Sequence, residues 1–362
     1  RSRAERHQIT RLKHRIESAN VTACAALTDK GMACFAAGKD GNMKASVIGC
    51  GRWGSFIAWY LRKIGHEVTL YGREGSRHMQ QFFETRSNGL VMLEDDVHLT
   101  YSLEDALKSE LICISIRSQN LPDLMQKIVS AGVQGKTFVL CMKGIEVSSL
   151  RRLSEIAEEA VGRENDVAVW LGPGHVQEFL AGVPNCMVID SKSEEVKEKL
   201  IASLSGGLIR FYYGTDLIGN EVGAAAKNVI GIAAGMLDGM GLTSLKGALM
   251  SRGTREVSRL IEAMGGNGFS AYGLCHLGDY EATVFSPYSH NRRFGEMFVR
   301  GEAYTELAEG YDTVKALCLL ADRYHVDLPI CRAVYAVLYD GAQPKEQMGQ
   351  LFTRSLKREF DN

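Results

Sequence analysis

Along this chain the spacing of apolar positions changes several times, and each change marks an element. From Met43 a short apolar run, Ala45 to Ile48, leads into a glycine turn. A segment with helical spacing follows to about Ile64 and Gly65, then a second apolar run from Val68 to Tyr71. That order predicts one βαβ unit. Further strand-like runs at Leu111 to Ile116, Thr137 to Cys141 and Val167 to Leu171 alternate with helical patterns, as in a parallel doubly wound sheet. Beyond about Gly214 such runs cease and helical periodicity continues to the end. Val222, Ala225, Val229, Ile232, Ala233 and Met236 recur at three- and four-residue spacing, while the other faces carry mostly Gly and Ala. This helix is therefore expected to be buried on nearly every side. The predicted fold class is α/β: a Rossmann-type doubly wound sheet over residues 43–215, followed by an all-helical domain over 216–362.

Residues 1–42 fit neither pattern: they are rich in Arg and Lys and contain no strand-like run. They read as an N-terminal extension outside the fold, either a targeting or regulatory leader or a segment without a role in it. The length of 362 residues allows two cores, and 45% hydrophobic with 23% charged residues describes an ordinary globular chain. A formal net charge of −1 lacks the basic excess that nucleic-acid binding needs, so no nucleic-acid partner is expected. The nine cysteines are scattered without a C-x-x-C pair, which predicts neither a disulfide scaffold nor a metal site and fits a reducing, cytoplasmic setting. No apolar run approaches the roughly 20 residues of a membrane span.

The chemistry begins at Gly49-Cys50-Gly51-Arg52-Trp53-Gly54, placed between a predicted strand and helix. In that context a G-x-G-x-x-G turn cradles pyrophosphate: Gly49 allows the turn, Gly51 the approach of phosphate, and Gly54 close helix packing. The second strand ends Leu70-Tyr71-Gly72-Arg73-Glu74. Arg73 would pair with a 2′-phosphate and favours NADP, whereas Glu74, one place later, would serve NAD. Lys227 is a lysine within an otherwise small and apolar helix; burial there would lower its pKa and make it a proton donor to a carbonyl. Asn228 beside it could hold a substrate oxygen. Lys143 and the segment Gly172-Pro173-Gly174-His175 follow predicted strands, at the sheet edge where open α/β folds bind ligands. Asp279 could orient Lys227, and Ser289-His290-Asn291-Arg292-Arg293 offers donors and cations to an anionic substrate.

Taken together, Gly49 to Gly54, Lys143-Gly144, Gly172-Pro173, Ala226 to Val229, Gly278-Asp279, Asn291 to Gly295 and Glu309 to Tyr311 resemble the NAD(P)-dependent glycerol-3-phosphate dehydrogenases, particularly the bacterial type. The resemblance runs from Met43 to about Tyr339. It implies reversible reduction of dihydroxyacetone phosphate to sn-glycerol 3-phosphate for phospholipid synthesis, by a homodimer whose helical domain binds the substrate. Lys227 would transfer the proton, assisted by Lys143, Asp279 and Asn228. The resemblance also implies that Arg52, Trp53, Arg73, Val176, Leu307 and Glu309 lie near NADP or NAD. Lys143, Gly172, Gly174, Asn228, Asp279, Ser289, His290, Asn291 and Arg292 would lie near substrate. Two positions depart from the family pattern: Gly174 stands where Ser or Thr is usual, and His290 where Arg is usual. These departures would weaken phosphate binding or make it pH-dependent through His290, unless Arg292 compensates. They also leave open a related dehydrogenase with another small hydroxy acid or phosphorylated ketone as substrate. A dinucleotide-sensing protein without turnover is the remaining alternative.

Overall fold

The computed structural model describes residues 42–355 and 358–359. The expected N-terminal extension, Asn42 apart, lies outside the described residues. Eight strands form one sheet: β1 (Lys44–Ile48), β2 (Glu67–Tyr71), β3 (His98–Thr100), β4 (Leu111–Ile114), β5 (Thr137–Leu140), β6 (Asp166–Leu171), β7 (Asn185–Ser191) and β8 (Ile209–Tyr213). Their order is β3-β2-β1-β4-β5-β6-β7-β8. The first six strands are parallel, and successive residues of the central ones enter different cores. Val47, Cys113, Val139 and Ala168 pack on one side, and Ile48, Ile112, Phe138 and Val169 on the other. Coverage of both faces is why these strands read as unbroken apolar runs.

The expectation of a fully parallel sheet is corrected at β7, which runs antiparallel to β6. The connection carries a five-residue helix, Val176–Leu180. Such a helix rises only about 7.5 Å. It cannot return the chain along a six-residue strand, which spans roughly 20 Å. Strands β3, β7 and β8 escaped the apolar pattern because β3 has three residues, β7 carries Asn185, Asp190 and Ser191, and β8 alternates Ile209 and Phe211 with exposed Arg210 and Tyr212.

After β8 the chain enters the helix Leu217–Gly239, buried continuously from Glu221 to Leu237. Helices Lys246–Ala263, His290–Val299 and Gly310–Arg323 pack around it. The contact with His290–Val299 is exceptionally close. A β-carbon on Gly235 would lie 1.9 Å from the Arg292 carbonyl oxygen, and one on Gly295 would lie 2.1 Å from that of Ile232. Two glycines thus bring the N-terminal end of this helix, with Ser289, His290 and Asn291, beside Lys227 and Asn228. A buried ion pair between Arg152 and Glu221 (2.6 Å) fastens the central helix to the sheet layer.

Candidate active site

A cleft of about 700 Å³ opens beyond the C-terminal ends of β1, β2, β4 and β5 and is closed on its far side by the helical region. Its first wall is the glycine turn. Gly49 has φ +116°, and a β-carbon there would meet the Ser115 carbonyl oxygen at 2.1 Å, whereas one on Gly51 would meet nothing within 4 Å. The turn is therefore tight against the sheet and open toward the cleft. The helix Arg52–Lys63 begins immediately beyond it. This combination of exposed amides and free space fits the pyrophosphate of a dinucleotide. Trp53 packs on Phe56 and lines the cleft together with Arg73. Glu74, next to Arg73 in sequence, is exposed and is absent from the cleft wall.

The opposite end carries the titratable groups. Lys227 is 8% exposed and Asp279 1% exposed, and Lys227 Nζ lies 2.9 Å from Asp279 Oδ2. Lys227 also donates to Thr283 Oγ1 at 2.8 Å, and the Thr283 hydroxyl donates in turn to the Asp279 carbonyl at 2.7 Å. Lys143 reaches the same carboxylate oxygen at 2.6 Å and donates to the Gly172 carbonyl at 2.7 Å. Two lysines thus share one carboxylate. Burial is the main influence on Lys227 and, with the neighbouring Lys143, lowers its pKa to about 8 against the opposing pull of Asp279. Asn228 completes this wall: its Nδ2 points to the Lys143 carbonyl at 3.4 Å, while its Oδ1 accepts from Asn291 at 3.0 Å. Asn291 Oδ1 accepts in turn from the Gly310 amide.

Lys143, Lys227, Asn228, Asp279, Ser289, His290 and Asn291 therefore meet in one cleft with Gly49, Gly51, Arg52, Trp53, Arg73, Gly174, Leu307 and Glu309. Gly54 packs behind the turn, against Gly49, and Gly172 contributes its carbonyl to Lys143. Two expected residues are placed elsewhere. Val176 is buried in the core beneath the sheet, because it starts a short helix whose apolar side faces that core. Arg292 turns away from the cleft, where Asp238 (2.7 Å), Glu296 (3.0 Å) and the Ser286 carbonyl hold its guanidinium. It does not stand in for the arginine that His290 replaces. Gly174 has φ +147°, and a β-carbon there would sit 2.3 Å from the Phe179 ring, so a serine could not enter this backbone unchanged.

The sequence reading passed over Arg117 and Ser118, and it gave no specific role to the side chains of Thr283 and His175. Thr283 is an ordinary threonine until the fold sets it beneath Lys227. Arg117 and Ser118, in the loop after β4, cross the cleft to Asp312 and Glu309: Arg117 pairs with Asp312 at 2.5 Å, and Ser118 donates to Glu309 at 2.5 Å. The His175 Nε2 is buried with no hydrogen-bond partner among the described residues, and its pKa is lowered to about 4, chiefly by burial and then by Lys227.

Two family models match the chain: the NAD-dependent glycerol-3-phosphate dehydrogenase N-terminus over residues 44–197 and the C-terminus over residues 216–349. A glycerol-3-phosphate dehydrogenase [NAD(P)+] of Thermoanaerobacter sp. (strain X514) is 32% identical, the match covering 88% of this chain and 99% of the relative. That of Streptomyces coelicolor is 35% identical, covering 88% and 98%. Among solved structures, the glycerol-3-phosphate dehydrogenase of Coxiella burnetii superposes with a TM-score of 0.80 at 25% identity, covering 86% of this chain and 99% of the other.

Proposed function

Since this chain belongs to the NAD-dependent glycerol-3-phosphate dehydrogenase family, we propose that it reduces dihydroxyacetone phosphate reversibly to sn-glycerol 3-phosphate, using NADPH or NADH. The observation that carries this reading is the Lys227–Asp279–Lys143 cluster at the end of a cleft that begins at a pyrophosphate-binding turn. When bound, the reduced nicotinamide supplies a hydride. Lys227 supplies the proton: its ammonium, tuned toward neutrality, donates to the substrate carbonyl oxygen and takes the proton back in the oxidation direction. Asp279 and Thr283 fix the direction of its Nζ, and Lys143 balances the Asp279 charge while adding a second cation to the site. Asn228 and Asn291 present amide groups to the substrate hydroxyls.

Arg73 on the cleft wall, with Glu74 turned out, supports a preference for NADPH. The same reading makes the protein a cytoplasmic homodimer supplying glycerol phosphate for phospholipid synthesis; among the described residues no helix is long and apolar enough to cross a membrane. Steady-state oxidation of NADPH and NADH with dihydroxyacetone phosphate, set against dihydroxyacetone and other 2-oxo compounds, tests the assignment. The expected result is turnover that requires the substrate phosphate and a lower KM for NADPH than for NADH. Turnover confined to an unphosphorylated 2-oxo acid would replace the substrate assignment.

A further inference from the structure

The substrate end of the cleft is short of free positive charge. Lys143 and Lys227 are both committed to Asp279, Arg117 to Asp312, and Arg292 to Asp238 and Glu296. Arg52 differs. It is the first residue of the helix after the glycine turn, and its guanidinium crosses to the helical region, where Nη1 donates to His290 Nε2 and Nη2 to Gln177 Oε1 at 3.3 Å. Both partners are neutral acceptors, and among the described residues no carboxylate lies within ion-pair distance of this guanidinium. Glu306 and Arg293 face it from a smaller adjoining cavity, which Tyr304 also lines.

The pair fixes the state of His290. Because Arg52 has only protons to give, His290 Nε2 must hold the lone pair, and the ring proton sits on Nδ1, donated to Tyr304 Oη at 2.6 Å. Burial, reinforced by the Arg52 charge, pushes the imidazole pKa down and keeps it in this form. The earlier expectation, a protonated His290 gripping phosphate, is thereby replaced: His290 is an acceptor holding a cation that comes from the opposite wall.

We infer that Arg52 is the cation that binds the substrate phosphate, and that His290 is its positioning residue. The inference rests on the proposed phosphorylated substrate. An always-charged planar fork with free N–H groups suits a phosphate dianion in a way that a neutral imidazole does not.

The test compares wild type and Arg52→Ala on dihydroxyacetone phosphate and on dihydroxyacetone at saturating nucleotide. Calorimetric titration of dihydroxyacetone phosphate into enzyme held with NADP+, and fluorescence titration of NADPH, provide binding readouts. Loss of a charge-assisted contact should lower kcat/KM for dihydroxyacetone phosphate about ten- to a hundredfold more than for dihydroxyacetone. Added guanidinium chloride should recover part of that activity. His290→Phe should raise KM for the phosphorylated substrate far more than it lowers kcat, and His290→Gln, which keeps an acceptor, should restore much of the loss. If Arg52→Ala fails to fold, Arg52→Gln is measured the same way. Equal losses on both substrates, or a weakening confined to NADPH binding, would overturn the inference by assigning Arg52 to the nucleotide. A wild-type enzyme indifferent to the substrate phosphate would instead remove the proposed function itself.

Discussion

A lysine side chain closed off from water keeps its proton less firmly, and at Lys227 the outcome is a pKa near 8, where both proton donation and proton uptake are accessible. The sign of the pH dependence follows. Reduction needs the ammonium form, so kcat/KM for the ketone should be flat at low pH and decline as pH rises through about 8. Oxidation of the alcohol needs the amine and should rise over the same range. Replacing Lys227 with Ala should cost turnover about a hundredfold or more while nucleotide affinity changes little, the scale expected for a lost positioned acid. Parallel pH profiles in the two directions, or turnover retained by the variant, would remove the role assigned to this residue. Lys227 was legible in the sequence because a lone lysine among Ala and Gly contradicts its surroundings. Thr283 carries no such contradiction, and only its place beneath the ammonium gives it a part.

Helix ends leave amides unpaired, and the helix Pro329–Tyr339 satisfies two of them with a side chain from another element. Glu256, buried on the helix Lys246–Ala263, accepts from the amides of Ile330 at 2.9 Å and Cys331 at 3.0 Å. Burial nonetheless raises its pKa from 4.5 to about 7, outweighing these amides. A carboxyl that holds its proton more tightly when folded favours the native state below its unfolded pKa, and that contribution is lost as pH rises toward the folded value. Wild type should therefore lose stability relative to Glu256→Gln between about pH 5 and pH 7. Melting temperatures of both proteins across that range would check this, and a constant gap would mean that Glu256 does not titrate there. Glu256→Ala, which strands both amides, should cost about 1–3 kcal/mol in denaturant unfolding.

At the scale of the whole molecule, the cleft exists because the sheet and the helical region are held at a fixed separation. The buried Arg152–Glu221 pair, with Ser154 donating through its amide (2.9 Å) and its hydroxyl (2.5 Å), is a principal fastening. Substituting Glu221 with Leu leaves a buried guanidinium held by Glu155 and the Ser154 hydroxyl and should destabilise the protein by about 3–5 kcal/mol. The double variant Arg152→Met/Glu221→Leu should regain most of that loss in calorimetry. A single variant as stable as wild type would show that the pair fastens nothing. The sequence by itself determined the parallel core strands, the glycine turn and the buried helix, because each rests on local spacing: strands covered on both faces are apolar throughout, and a helix buried all round must be small and apolar. It also pointed to Lys227, Asp279 and Lys143, with Asp279 orienting Lys227. Only the tertiary structure decided that the two lysines share the Asp279 carboxylate, that Arg292 belongs to a network behind the cleft, and that Arg52 and His290 meet although 238 positions separate them. Pairing of distant side chains depends on how closely two backbones approach, here set by Gly235 and Gly295, and residue spacing along the chain does not encode that distance.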